Sequence, residues 1–208
     1  MLKAIVVDDH PFIRSSVKML LKQEQFEVVA EADNGADAVQ LAREHAPDLI
    51  ILDIAMPKLD GLEVISRISA LGLSSKILVL TSQSALFYSM RCMKAGAAGY
   101  ISKTNDLDEL IKAIKAVMDG YTFFPNLATS SVRRSDVDTS DLELIQSLSD
   151  RELAILQQLS NGLSNKEIGE AMLLSNKTVS TYKTRLIEKL KVKSVVYLAD
   201  FAKRNNLV

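Results

Sequence analysis

The chain has 208 residues, of which 48% are apolar, a proportion that supports a packed core and argues against wholesale disorder. Its formal net charge is only −1, yet residues 1–125 carry −3, residues 126–146 carry −2 and residues 147–208 carry +4, so an acidic front and a basic back point to two domains with different partners. One cysteine, Cys92, rules out an internal disulfide, two histidines leave no soft-metal cluster, and no apolar run approaches the roughly 20 residues of a membrane span or forms a signal peptide, so a cytoplasmic protein with no membrane partner is expected.

The first strand is read over 3–7 (KAIVV), where β-branched residues run straight into Asp8 and Asp9. A helical pattern follows over 12–22, with Ile13, Val17, Leu20 and Leu21 on one face. Further strands are expected at 26–32, 48–53, 76–81 and 99–102, and further helices at 36–45, 61–70, 84–95 and 107–119. In the last helix Leu107, Leu110, Ile111, Ile114 and Val117 form the apolar stripe. Strands alternating with helices in this way predict a parallel sheet covered on both faces.

Ligands of such a sheet gather at the carboxyl ends of its strands. Asp8 and Asp9 end the first strand, Asp53 the third and Thr81 the fourth, and Lys103 follows the fifth, so all converge on one edge. Adjacent carboxylates make each other harder to ionise. A cation that prefers oxygen ligands, Mg²⁺, would offset that cost. With a positive charge from Lys103 and a hydroxyl from Thr81, the set suits phosphoryl transfer to a carboxylate nucleophile. Asp53 stands alone at the end of the central strand and is the candidate nucleophile, leaving Asp8 and Asp9 to hold the metal. His10 reads as a helix-start residue before Pro11, Cys92 as buried filler, and Met56-Pro57 as a turn shaping the loop after Asp53.

The runs VVDDH, LDIAMPKLDG, VLTS and GAAGYISK resemble the receiver domain of two-component response regulators, across residues 1–120. The resemblance implies a flavodoxin-like, doubly wound domain of five parallel strands. It implies Asp53 as phosphoacceptor, Lys103 as its lysine partner, and Thr81 with Tyr100 as a switch pair. It also implies metal ligation by Asp9, Asp53 and the backbone carbonyl of Ala55, with Asp8 acting largely through water. Self-catalysed phosphoryl transfer to Asp53 and autodephosphorylation are the only reactions it implies. Thr104 departs from the proline many receivers carry after the lysine, which opens that position to a trans peptide.

Residues 126–146 are rich in Ser, Thr and Asp without an apolar period, and read as a linker with a turn of helix near 141–147. From 148 onward the pattern is helical only. Ser149 with Glu152 and Ser164 with Glu167 spell capping boxes, and Gly162 stops the first helix. A short helix at 165–172, a tight turn and a longer helix at 176–190 make a helix-turn-helix, followed by a helix at 194–205. On the longer helix Val179, Leu186 and Leu190 face inward, with Tyr182 or Ile187 beside them. Ser180, Thr181 and Thr184 are placed for base edges, and Lys177, Lys183 and Arg185 for phosphates, with Thr178 in the same contact set. A docking module with a solvated polar face has the same pattern. The last helix presents Val195, Val196, Leu198, Ala199 and Ala202, either as a dimer contact or as closure of the domain core.

The segment LSDRELAILQQLSNGLSNKEIGEAMLLSNKTVSTYKTRLIEKL resembles the LuxR/NarL (FixJ) type of DNA-binding domain, across residues 148–208. GYTFFP, SNKTVSTYKTRL and AKRNN resemble its BvgA and EvgA branch. Together the resemblances imply a receiver domain at 1–122, a linker at 123–147 and a DNA-binding domain at 148–208. They imply a phosphorylation-dependent transcriptional regulator. Its partners would be a sensor histidine kinase or histidine phosphotransfer domain, double-stranded DNA, RNA polymerase and a second copy of the chain. Two departures stand out. Gly169 replaces the usual alanine, which weakens its helix by roughly 1 kcal/mol, and Tyr182 replaces a common histidine. Two other classes compete. A Mg²⁺-dependent phosphatase using an aspartyl phosphate would resemble the haloacid dehalogenases, with D-x-D on the first strand, whereas here the acids are adjacent and the lone acid is Asp53. A DNA-binding regulator controlled by a ligand instead of phosphate would have no use for the intact set of Asp8, Asp9, Asp53, Thr81 and Lys103.

Overall fold

The computed structural model describes residues 1–56, 59, 61–125 and 139–208, so Pro57 and most of the expected linker lie outside the described residues. The chain divides into two compact units after residue 127. The first alternates β1 (Leu2–Val7), α1 (Pro11–Gln23), β2 (Phe26–Ala32), α2 (Gly35–His45), β3 (Leu49–Leu52), α3 (Gly61–Ala70), β4 (Lys76–Thr81), α4 (Ala85–Ala95), β5 (Gly99–Ser102) and α5 (Leu107–Met118). The strands pair in parallel in the order β2-β1-β3-β4-β5. Each expected strand is present to within one or two residues.

Strand side chains alternate between faces. Ala4, Val6, Leu49, Ile51, Leu78, Leu80 and Ile101 pack with Val17 and Leu21 of α1 and Leu110, Ile114 and Val117 of α5. Ile5, Ile50, Ile77, Val79 and Tyr100 are buried on the opposite face, where α2, α3 and α4 form the second layer. Being buried on both faces, β3 is apolar throughout, as parallel central strands are. Leu107 departs from the expected stripe and is 60% exposed. It is the first residue of α5 and borders an open pocket with Ile13, Leu80 and Ile101 instead of a closed core; the buried stripe begins at Leu110. After α5 the chain returns to the sheet edge. Phe123 donates to the Ala98 carbonyl at 3.0 Å and accepts from the Tyr100 N–H at 2.8 Å, covering part of the β5 edge.

The second unit contains α6 (Thr139–Gln146), α7 (Asp150–Ser160), α8 (Asn165–Met172), α9 (Asn176–Lys189) and α10 (Val195–Arg204). Both expected capping boxes form in full. Ser175 caps α9 by accepting from the Thr178 N–H at 3.0 Å. Val179, Leu186 and Leu190 are buried, while Tyr182 and Ile187 are both half-buried. On α10 the two readings divide by residue: Leu198, Phe201 and Ala202 close the core, whereas Val196 and Tyr197 are exposed. Asp141 of α6 accepts from Arg204 Nε and Nη2 and from Asn205 Nδ2, tying the first helix of this unit to the last. The glycine at 169 has a spatial reason beyond its propensity cost, since a Cβ there would lie 2.7 Å from the Leu174 carbonyl oxygen in the tight turn.

Gly61 is more constrained still, because a Cβ would stand 2.3 Å from Cα of Ile54, in the loop that follows Asp53. Gly61→Ala is expected to destabilise the first unit by about 1–3 kcal/mol, as overpacking does. A denaturant melt checks this, and an unchanged midpoint would contradict the packing.

Candidate functional site

The sheet order reverses between β1 and β3, and that is where a crevice opens beyond the carboxyl ends of the strands. Asp8 and Asp9 flank it from β1 and Asp53 from β3. The Asp53 N–H bonds the Val7 carbonyl at 2.9 Å, so strand pairing itself sets the spacing of the acids. Lys103 arrives from beyond β5. Its Nζ lies 2.7 Å from Asp8 Oδ2 and 2.6 Å from Asp53 Oδ2. Burial pushes the Lys103 ammonium down, but its hydrogen bonds to Asp53 and Asp8 outweigh this and hold it above the usual lysine value. The second Asp53 oxygen accepts from the Ala55 N–H at 2.9 Å; Ala55 itself is exposed, two residues beyond.

His10 belongs to this cluster, which the helix-start reading missed. Its N–H donates to Asp8 Oδ1 at 2.9 Å, and its Nδ1 lies 2.8 Å from Asp9 Oδ1. The second approach has the distance but not the direction of a hydrogen bond, so Asp9 Oδ1 is buried without a hydrogen-bond partner. Ligand atoms of Asp8, Asp9, His10 and Asp53 lie within 4.8 Å of one another. A clustered set of carboxylate oxygens with one unbonded oxygen fits a hard cation.

Thr81 is fully buried at the end of β4, with Oγ1 accepting from the Gln83 N–H at 3.4 Å. Tyr100 is buried too, and its hydroxyl donates to the Gln83 carbonyl at 2.6 Å. Of the switch pair that the resemblance implies, Tyr100 thus already has its ring inside. Burial, with Cys92 and Asp53 nearby, pushes its phenol far up, so it stays a donor. The Lys103–Thr104 peptide is trans, and Thr104 Oγ1 lies 2.7 Å from Ser102 Oγ.

In the second unit α9 presents Lys177, Ser180, Thr181, Thr184 and Arg185 to solvent, with Lys183 and Thr178 half-buried. Thr178 is partly used by the cap, its hydroxyl 2.7 Å from Ser175 Oγ. The hydroxyls of Thr181 and Thr184 donate back to the carbonyls of Lys177 and Ser180, leaving oxygen lone pairs and methyls outward. Arg185 lies 5.9 Å from the centroid of the Tyr182 ring. Glu152 secures the far end of α9. It completes the α7 capping box and also accepts from Lys189 Nζ at 2.8 Å.

A crevice lined by clustered acids and a lysine, in a chain that also carries a helix-turn-helix, defines the class of DNA-binding response regulators. The family described as response regulator receiver domain matches residues 4–115, and that of bacterial regulatory proteins of the luxR family matches residues 146–202. The chain belongs to the LuxR-type response regulators, transcriptional regulators controlled by phosphorylation. It is 53% identical over 205 residues to the virulence-factor regulator BvgA of Bordetella pertussis, covering 99% of this chain and 98% of that one. It is 36% identical to the DNA-binding transcriptional activator EvgA of Escherichia coli, covering 99% and 100%. Among solved structures, the Salmonella typhimurium response regulator RcsB superposes with a TM-score of 0.75 at 26% identity, covering 97% of this chain and 96% of that one. A second RcsB structure, of two dimers bound to two parallel DNAs, gives 0.57 at 26% identity, covering 98% of each chain. Among the described residues no helix is long and apolar enough to cross a membrane.

The Glu152 tie has a pH signature. Burial pushes its carboxyl up, but the donors Lys189 and Ser149 outweigh this and hold it below the usual glutamate value. A depressed folded-state pKa means stability that is present above the unfolded value and lost as pH falls through the folded one. The second unit should therefore lose stability in acid, over the range just below the usual glutamate titration. Glu152→Gln keeps both capping bonds and has no charge to lose, so its stability should vary less with pH there. Parallel acid melts of the two proteins check this; identical slopes would contradict it.

Proposed function

We propose that Asp53 is the phosphoacceptor that controls this regulator, and that phosphorylation there governs pairing of two copies and their binding to DNA. The observation that carries the reading is Lys103 Nζ held between Asp8 Oδ2 and Asp53 Oδ2 at 2.7 and 2.6 Å, at the point where the sheet order reverses. A carboxylate oxygen of Asp53 forms the new bond to phosphorus as the bond to the donor breaks and the donor keeps its electron pair. The donor is a sensor histidine kinase or histidine phosphotransfer domain. Lys103 shifts one of its hydrogen bonds to a phosphoryl oxygen, and Thr81 donates its hydroxyl to another. Autodephosphorylation is attack of water on the same phosphorus, which breaks the bond to the Asp53 oxygen, returns the Asp53 carboxylate and releases inorganic phosphate.

Mg²⁺ at Asp9, Asp53 and the Ala55 carbonyl, with Asp8 reached through water, would neutralise the phosphoryl oxygens as they approach three carboxylates. The unbonded, buried Asp9 Oδ1 supports a cation there.

On DNA, Lys177, Lys183 and Arg185 hold phosphates, while Ser180, Thr181 and Thr184, with Thr178 behind them, meet base edges in the major groove. With their protons turned back to the helix, Thr181 and Thr184 accept from base amino groups or pack against thymine methyls. One small domain reads few base pairs, and a pair reads twice as many, which favours a homodimer on half-sites about one helical turn apart or in an overlapping arrangement set by the dimer contact. The RcsB dimers bound to DNA support pairing on DNA. Exposed Val196 and Tyr197 offer apolar surface for pairing. RNA polymerase would be a further partner at the promoter. The reading uses the domain bounds 1–122, 123–147 and 148–208 and places the protein in the cytoplasm.

Incubation with acetyl phosphate and Mg²⁺, followed by mapping of the acid-labile phosphate, tests the assignment. Asp53→Asn should take up only background label, and excess chelator should do the same to the wild type. Full labelling of Asp53→Asn would sink the phosphoacceptor reading, and full labelling in chelator the cation reading.

A further inference from the structure

Arg14 lies on the first turns of α1, behind the acid pair. Its Nη1 donates to the backbone carbonyl of Asp8 at 2.6 Å. The Asp8 N–H is bonded on the other side, to the Ala32 carbonyl of β2 at 3.1 Å. Both polar groups of the Asp8 backbone are therefore tied, one to the sheet and one to a side chain. The guanidinium is 18% exposed and pairs by charge alone with Glu31: its Nε lies 3.7 Å from Glu31 Oε2, beyond hydrogen-bond range, and is buried without a hydrogen-bond partner. Glu31, near the end of β2, is fixed by Lys18 Nζ at 2.7 Å. A chain of charged groups thus runs from β2 through Glu31 and Arg14 to the peptide between Asp8 and Asp9.

We infer that Arg14, braced by Glu31, is a positioning residue that holds the Asp8–Asp9 peptide so that both carboxylates face the cation site. The inference rests on the cation reading proposed above. Arg14 is not one of the groups that meets the metal or the phosphate. Its hydrogen bond goes to the main chain that carries the ligands. Charge and position make opposite predictions here. A guanidinium near a cation site repels the cation, so on charge alone its removal tightens cation binding. If it sets the direction of the acid pair, its removal weakens binding, as loss of groups behind metal ligands does, by about 10–100-fold.

The test is titration of the full chain with Mg²⁺ alone, by calorimetry, followed by initial labelling rates with acetyl phosphate across a Mg²⁺ series. Arg14→Met should raise the Mg²⁺ dissociation constant by about 10-fold or more. Its labelling rate should recover at saturating Mg²⁺, which a general loss of structure would not allow. Arg14→Lys keeps a donor for the Asp8 carbonyl but not the second guanidinium nitrogen that faces Glu31, and should fall between. Glu31→Gln leaves the Arg14 bond in place but loosens its brace, so it should shift the constant in the same direction by less. It decides the matter if Arg14→Met does not fold. Binding by Arg14→Met as tight as wild type or tighter, or an unshifted constant in Glu31→Gln, overturns the inference and leaves the cation reading standing. Failure of the wild type to bind Mg²⁺ overturns both.

Discussion

The first unit is organised around one buried electrostatic problem. Parallel pairing of β1 and β3 places Asp8 and Asp53 at neighbouring strand ends, both 2% exposed. Two carboxylates so placed repel each other in a medium that screens poorly. Lys103 answers that repulsion with one ammonium shared between them. Its own backbone is fixed by the Thr81 carbonyl, which accepts from the Lys103 N–H at 2.8 Å, so β4 holds the lysine where β1 and β3 need it. Removing either side of such a group leaves an unpaired buried charge. In the proposed chemistry, a phosphoryl group on Asp53 would compete for the lysine and change what β4 and β5 must satisfy. Tyr100, hydrogen-bonded to the Gln83 carbonyl of the following loop, is joined to that strand pair.

The second unit uses a comparable economy. Glu152 caps α7 and holds Lys189 of α9; Asp141 holds Arg204 and Asn205 of the last helix. In each case one nearly buried carboxylate links helices that are distant in sequence. The orientation of α9, and so of Lys177 through Arg185, depends on the Glu152–Lys189 tie as well as on the apolar contacts of Val179 and Leu186.

Much of this was legible in the sequence because it is one-dimensional information. A β-rich run that stops at an acid gives both a strand and the place where the acid sits, as at Asp8 and Asp53. Capping boxes are four-residue patterns, and both form. What escaped depends on direction in space. His10 does stand at the N-cap of α1, as its place beside the acids and before Pro11 suggests, but nothing local says that its ring turns back onto two carboxylates. Arg14 is one helical turn from His10; that spacing, with a cation following two acids, was the only available signal. Leu107 fits the apolar period but, as the first residue of α5, borders an open pocket instead of the closed core. Gly169 looked like a plain loss of helix propensity, although the nearby Leu174 carbonyl leaves little room for a Cβ.

The central claim is that phosphate on Asp53 is transmitted to DNA binding. The direct measurement is the affinity of the full chain for a binding site selected from random sequence, at fixed salt, with and without acetyl phosphate and Mg²⁺, for wild type and Asp53→Asn. The account predicts tightening of the wild type by about 5–150-fold, the usual range of coupling between two sites, and no response from Asp53→Asn. Wild-type affinity that ignores the phosphodonor, or an Asp53→Asn protein that responds equally, would contradict it.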